Sequence, residues 1–405
     1  MLQTIGHIIL LAVFIYLAAG IVYLALLVIA GLLRRKNVYA PAAHKNRIAL
    51  LIPAYKEDGV ILETARQAAQ HDYPGDRFGV FVIADQLKEQ TIARLQAIPV
   101  NVVRVKFETS TKARSLNAAL EQIAGKGYDH VMVLDADNIM KAGCLEQVNA
   151  AFESGSLAVQ CHRTAKNKHT PVAVLDAISE EINNHLFRKG PRGLGISVNL
   201  IGSGMAFRYS ELSAILSLQH IQSNPGEDRE IDLELMRNNT LVEYLDDAIV
   251  YDEKVASAQV FEKQRVRWLE AQVMHFRRFF HADMKSAPHN ANYWHKFIQT
   301  LLLPRSLYIL VLGLMMLLAA VQWIFHVSIL FPAPLWWVAL TIIFATLLLL
   351  SIPASLYTGS TLRALLHVPV LILSMVKALL KIKKNRAQFL HTPKHYNSEL
   401  EEVKM

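Results

Sequence analysis

Two aspartates separated by one residue, Asp135 and Asp137, end the run DHVMVLDAD. Paired carboxylates at a strand terminus can hold a hard divalent cation, with phosphate oxygens completing its shell. A solvated D-x-D turn is the plain alternative, but the apolar VMVL delivers both acids to the strand end. Pro225-Gly226-Glu227-Asp228-Arg229 opens a helical run, EIDLELMR. Acids in a first helical turn suit the dipole; a carboxylate placed there beside a sheet edge can equally act as general base on a hydroxyl. Gln264, Arg267 and Trp268 are spaced i, i+3, i+4 and share one helix face. Together they can present an amide, a phosphate-binding guanidinium and a ring for sugar stacking. An Arg-rich helix facing lipid headgroups is the competing reading, and it suffices for Arg277 and Arg278. Lys112 begins the helix-like KARSLNAAL, where a lysine opposes the dipole and a phosphate would be favoured by free N–H groups, so a ligand is expected beside it. Gly202-Ser203-Gly204, before the strand-like MAFRY, marks either a close backbone approach or an ordinary tight turn.

Other chemistries lose their main support. The chain has no G-x-G-x-x-G after its first strand, no G-x-x-x-x-G-K loop, no C-x-x-C and no H-E-x-x-H. The 16 histidines form no metal-spaced cluster, and two cysteines, Cys144 and Cys161, exclude a disulfide framework and fit a reducing compartment.

The elements that must position these residues alternate. RIALLIPAY precedes a helix from about Val60, GVFVIAD one near Glu89, VNVVRVKF one from Lys112, and DHVMVLDAD one from about Gly143; LAVQCHR follows. Strand–helix alternation predicts an α/β domain over 45–293 with a mostly parallel, Rossmann-like sheet and right-handed crossovers. Ligands bind beyond the carboxyl ends of such strands.

Around that domain the composition changes. Of 405 residues 53% are hydrophobic and 19% charged, and the mean hydropathy is +0.25; disorder is excluded and part of the chain is expected in lipid. Ile8–Leu33 carries no charge and is followed by Arg34, Arg35 and Lys36. This predicts a transmembrane helix and basic anchor over 1–36, with the next domain cytoplasmic. Within a membrane region over 294–383, Ser306–Phe325 and Leu335 to about Tyr357 read as two spans. Ala364–Val376 is better suited to the interface. A basic tail, 384–405, completes the chain. The net charge of +8 (42 basic against 34 acidic) points to anionic headgroups or a phosphorylated substrate before nucleic acid.

Taken in order, LIPAYKED, VIAD, TKARSLNAAL, LDADN, the GSG segment, GEDREIDLEL and QRVRW resemble the membrane-integrated family 2 glycosyltransferases, the group of cellulose, chitin and hyaluronan synthases. The resemblance extends from about Leu51 to Trp268, and FLHTPK (389–394) is similar to the segment after the last membrane helix of several such synthases. It implies a GT-A fold, a nucleotide-diphosphate sugar (UDP-sugar foremost), Mg²⁺ or Mn²⁺, and inversion at the anomeric carbon. By position it puts Pro53, Tyr55 and Glu57 at the nucleoside and Asp85 on the base, with Lys112 supporting the nucleotide. Asp135 would face the nucleotide and sugar, Asp137 the metal. Asp228 would be the catalytic base, Gln264, Arg267 and Trp268 would hold diphosphate and acceptor sugar, and Gly202, Ser203 and Gly204 would border the acceptor. The chain reads VIADQLKEQT where many members carry a second acid soon after VIAD.

The leading expectation is therefore a polysaccharide synthase in the inner membrane, extending a glycan at the cytosolic face. With three spans, it would need to dimerise, recruit an export partner or release a short product. Transfer of one sugar to a lipid or lipid-linked acceptor is the alternative, and a catalytically silent scaffold the third.

Overall fold

A computed structural model describes residues 2–381, apart from Pro225 and Ser286. The FLHTPK motif and the rest of the 384–405 tail lie outside the described residues.

One eight-stranded sheet carries the central domain. Its strands are β1 (Ile48–Tyr55), β2 (Phe78–Asp85), β3 (Asn101–Val105), β4 (His130–Val133), β5 (Ile139–Met140), β6 (Ala158–Ala165), β7 (Met205–Arg208) and β8 (Val242–Asp252). They are ordered β3-β2-β1-β4-β7-β6-β8-β5. The first four positions are parallel, as the alternation predicts. β7 then runs antiparallel to both β4 and β6, β6 and β8 are parallel, and β5 is antiparallel to β8. The sheet is thus mixed. The expectation of a mostly parallel sheet holds best for its β3–β4 half, because β7 enters from a long excursion and not from a single crossover helix.

Helices Ile61–Ala69, Glu89–Gln96 and Cys144–Glu153 enclose one apolar core with one sheet face; Lys112–Ile123, Tyr209–Leu216 and Glu227–Arg237 close the other. β1 shows why: IALLIPAY sends Ile48, Leu50 and Ile52 to the first core and Ala49 and Leu51 to the second. A strand apolar on both faces belongs in the sheet's middle.

Between β6 and β7 the chain makes a helix the residue pattern does not announce, Pro171–Asn184, continued as a π-turn over His185–Lys189 and a last turn to Gly193. Thr170 caps it by accepting the Ala173 N–H (3.1 Å), with Pro171 in the first turn. Its Val174, Leu175, Ile178 and Ile182 join Leu17–Val28, Tyr308, Leu312, Trp337 and Phe344 in a third apolar core. Gly193 permits the closest approach: a Cβ there would stand 2.2 Å from the Ala30 carbonyl oxygen.

Two helices, Gln3–Leu33 and Arg305–Phe325, are long and apolar enough to cross a membrane, by length and composition. The segment expected to span from Leu335 to about Tyr357 forms a 17-residue helix, Pro334–Leu350, then breaks at Pro353. Ala364–Val376 falls on two helices, Gly359–Leu365 and Val368–Leu380, bent by 50°; taken together they would make a third span. Arg34, below the first helix, pairs with Asp246 at 2.7 Å and Lys36 pairs with Asp247. The basic residues after the first helix are therefore tied to β8 of the central domain.

Candidate active site

The carboxyl ends of the parallel strands supply the first group of predicted residues. Tyr55 ends β1 directly opposite Asp85, the last residue of β2, and Pro53 lies two positions before Tyr55, opposite Ile83. Glu57 follows β1 and is half-buried. Both strands turn sharply at this edge, since Lys56 and Gln86 have φ of +57° and +58°. Such backbone is uncommon for residues with a Cβ and is held here by the bond from Lys56 N–H to the Asp85 carbonyl (3.1 Å). Asp85 is 1% exposed. Burial pushes its carboxyl above the ordinary range, against smaller pulls from Ser110 and Lys56.

A cluster of opposite charges is assembled from three elements. Lys112, at the start of its helix, donates to Asp135 Oδ1 (2.5 Å) and to the Gly202 carbonyl (2.6 Å), and lies 3.6 Å from Glu227 Oε1. The cation that the helix dipole disfavours is thus held by carboxylates. Burial acts against the ammonium, but Asp135, Glu227 and Asp228 outweigh it and raise the lysine above its usual value. Glu227 shows the converse: burial first, then repulsion from Asp228, lift its carboxyl to about 7 although Lys112 pulls the other way.

Asp228, one residue along the helix Glu227–Arg237, reaches the GSG segment. A Cβ on Gly202 (φ +77°) would stand 3.5 Å from Lys112 Nζ and 3.6 Å from Asp228 Oδ2, so the glycine keeps open the space these charges face. Gly204 (φ +66°) is required for packing as well, since a Cβ would meet Val250 and Cys161 at 3.1 and 3.2 Å. Ser203 fixes the loop to the aspartate motif. Its Oγ accepts from the Asp135 N–H (3.0 Å) and donates to Asn138 Oδ1, while Asn138 Nδ2 donates to Asp252 (2.9 Å). Asp137 is 1% exposed, not a solvated turn acid.

The helix Ala258–Arg278 brings the third group. Arg267 is influenced by Glu227, Asp135 and Asp228, which oppose the lowering of its guanidinium by burial; it therefore belongs to the same site. Gln264 Oε1 is buried without a hydrogen-bond partner among the described residues. Trp268, expected to offer a ring to a sugar, has one face occupied. The Arg265 guanidinium lies 3.9 Å from its centroid and covers one face, leaving at most the other for a sugar.

Comparison with known proteins decides the family. The model of the family described as glycosyltransferase like family 2 matches residues 44–271, more than half of the chain. The chain belongs to family 2 of the glycosyltransferases. This transferase is 25% identical over 231 residues to a β-monoglucosyldiacylglycerol synthase of Synechocystis, a stretch that is 55% of this chain and 47% of that one. It is 32% identical over 124 residues to glucans biosynthesis glucosyltransferase H of Rhodopseudomonas palustris, 27% of this chain and 17% of the relative. The chain thus spans half or less of the length of these two relatives. A mannosyltransferase from Pyrobaculum calidifontis, solved with GDP-mannose and Mn²⁺, superposes with a TM-score of 0.56 at 18% identity over 95% of this chain and 100% of its own. That likeness establishes the transferase's fold as mixed α/β and GT-A-like.

The transferase's acids fit a divalent cation. Two carboxylates one residue apart stand at the ligand edge of the sheet, and one of them is buried. Among the described residues no three His, Cys, Asp or Glu side chains gather as a closed metal cage. An ion here would need oxygens from a bound diphosphate, the manner in which Mg²⁺ or Mn²⁺ is commonly shared with a nucleotide.

The residue pattern missed a polar band between this site and the third apolar core. Arg163 on β6 pairs with Glu180 (2.9 Å) and Asp252 (3.8 Å), and its Nη1 donates to the Ile201 carbonyl (3.2 Å) beside Gly202. Lys254 pairs with Glu180 (2.5 Å) and Asp252 (2.6 Å), and Arg265 with Asp176 (2.6 Å). One signal is available: Asp176, Glu180 and Glu181 are acids at i, i+4, i+5 on a segment that is otherwise apolar from Val172 to Ile182 apart from Ser179, a pattern that demands buried basic partners.

Proposed function

We propose that this chain is an inverting, metal-dependent hexosyltransferase. It takes a sugar from a nucleotide-diphosphate sugar, UDP-linked foremost, and places it on a lipid-borne acceptor at the cytoplasmic face of the inner membrane. The observation that carries the acceptor reading is the helix Pro171–Asn184. One side of it lies in the apolar core shared with Gln3–Leu33 and Arg305–Phe325, and its acids point to the band behind the GSG segment. An acceptor with an apolar body can therefore bring a hydroxyl to Asp228 from the membrane side. The glycolipid synthase relative supports the same acceptor class.

Asp228 takes the proton of the acceptor hydroxyl while that oxygen bonds to the anomeric carbon and the bond from the carbon to the diphosphate breaks. A single displacement inverts that carbon. Lys112 and Arg267 meet the charge developing on the departing diphosphate. A cation held by Asp137 with Asp135 would supply further neutralisation of the leaving group. Pro53, Tyr55, Glu57 and Asp85 hold the nucleoside at the strand ends, and Gln264 and Trp268 border the acceptor with Gly202, Ser203 and Gly204.

Extension of a growing polysaccharide, favoured by the QRVRW segment and by the glucan glucosyltransferase relative, is the second reading. Purified membranes given Mn²⁺ and a panel of radiolabelled UDP- and GDP-sugars separate the two. A product that partitions into organic solvent and carries one added sugar supports the first reading, and a ladder or polymer on a gel overturns it.

A further inference from the structure

The polar band holds five basic side chains, Arg163, Arg188, Lys254, Arg265 and Arg305, and three carboxylates bonded to them, Asp176, Glu180 and Asp252. All three acids are taken by Arg163, Lys254 and Arg265. Arg188, on the π-turn and only 4% exposed, makes no hydrogen bond or ion pair to an acceptor among the described residues, and its Nε is buried. Arg305 spends one nitrogen on the Ser179 carbonyl and hydroxyl, both at 2.9 Å, and its Nη1 is buried without an acceptor. Arg265 Nε is in the same condition. Arg305 and Arg265 meet the same helix one turn apart, at Ser179 and Asp176, and Arg188 lies on the π-turn that continues it. The charges of Arg265 and Arg188 both act on Arg305, while Glu180 and Asp232 act on Arg188.

Burying a charge without a counter-ion is strongly unfavourable, and guanidinium forks match phosphate oxygens. Arg305 is the first residue of the apolar helix Arg305–Phe325, and Ser179 belongs to the helix whose apolar side joins it. An anion here would sit at the headgroup level with apolar surface directly beyond. We propose that Arg188, Arg265 and Arg305 form a site for the phosphate of a lipid, which makes the acceptor a phosphorylated lipid. This deepens the lipid-acceptor reading and rests on it. The ligand chemistry is a phosphate ester with an apolar tail, and a free phosphate shares only the first part.

The test uses the purified full chain in neutral detergent, followed by thermal unfolding. Phosphatidic acid in mixed micelles is expected to raise Tm by a few degrees when in large excess over its Kd. Diacylglycerol with the same acyl chains should not. Arg188→Met and Arg305→Gln should each lose most of that gain, while Tm without lipid stays near that of the parent, because each removes a buried guanidinium that forms no ion pair. Lys377→Gln, which alters an exposed charge on the helix Val368–Leu380, should keep the gain and thereby separate the site from general attraction to anionic lipid. Variants that lose several degrees without lipid yet keep the phosphatidic acid gain would show a purely structural ion cluster and overturn the proposal. Loss of stabilisation by UDP in place of phosphatidic acid would assign the arginines to the donor and also overturn it. Inorganic phosphate as effective as phosphatidic acid at equal concentration would refute the lipid source. A polymeric product with the lipid effect intact would remove the acceptor assignment alone, and a one-sugar lipid product with no variant effect would remove the arginine site alone.

Discussion

Two buried charge clusters lie back to back in this molecule, and they are incomplete with opposite signs. At the candidate active-site edge Asp135, Glu227 and Asp228 meet Lys112 and Arg267, with Asp137 buried two positions beyond Asp135, an excess of acid. In the band behind it, five basic groups meet three bonded acids, an excess of base. On the reading proposed above, the first would receive a cation and take a proton, and the second would receive an anion. Each sign follows from what the neighbouring element carries. The helix Glu227–Arg237 concentrates three acids in its first turn, whereas the π-turn at 185–189 ends in Arg188 and Lys189.

The comparison breaks most visibly at Asp228. Asp228→Asn should lower kcat for transfer by about 10²–10⁴-fold, the usual worth of a general base, and leave affinity for the sugar nucleotide within a few-fold. A radiolabelled-sugar assay at saturating donor reads it, and normal turnover would move the base elsewhere. Lys112→Met attacks the balance itself. It leaves Asp135, Glu227 and Asp228 without the ammonium between them, and the partly exposed pairing suggests a loss of about 1–3 kcal/mol in stability. Denaturant midpoints measure it, and added Mn²⁺ with UDP should recover part of the loss. Gly204→Ala should cost about 1–2 kcal/mol, from the left-handed backbone and the contacts at Val250 and Cys161. A variant as stable as the parent would mean that this loop repacks freely.

The two clusters also differ in how far the residues announced them. Strands β1 to β4 and the helices between them follow period and punctuation closely. LIPAY and VIAD end where their aspartate and tyrosine should, and Lys112 opens its helix as expected. Asp135, Asp228 and Arg267 are recognisable because acids at strand and helix starts, and an arginine one turn from a glutamine, keep local spacing. The arginine band has no local spacing. Arg163, Arg188, Arg265 and Arg305 come from four elements up to 142 positions apart, and although Asp176, Ser179 and Glu180 share one helix, no short sequence window joins an arginine to the group it meets. The cover on one face of Trp268 is not legible for a related reason, since the i, i+3 neighbour that supplies it, Arg265, is one of several arginines on that helix. β7 is legible as the strand-like MAFRY, but its antiparallel direction is not, because the helix before it, largely apolar with three acids, resembles neither a surface helix nor a membrane span.

Glu227 offers the finest test of the catalytic cluster. Its carboxyl titrates near 7 in the folded protein, against an ordinary value of 4.5, because burial and Asp228 oppose its ionisation. Between these two values the folded chain binds more protons at this position than the unfolded chain does, so this group makes stability fall as pH rises from about 4.5 to 7 and adds no slope above that. Glu227→Gln holds the site in its uncharged form. Its Tm should match the parent near pH 5 and exceed it by a few degrees at pH 8. Parallel Tm curves for the two proteins across that range would show that Lys112, not burial, governs Glu227, and that the catalytic edge carries one more negative charge at neutral pH.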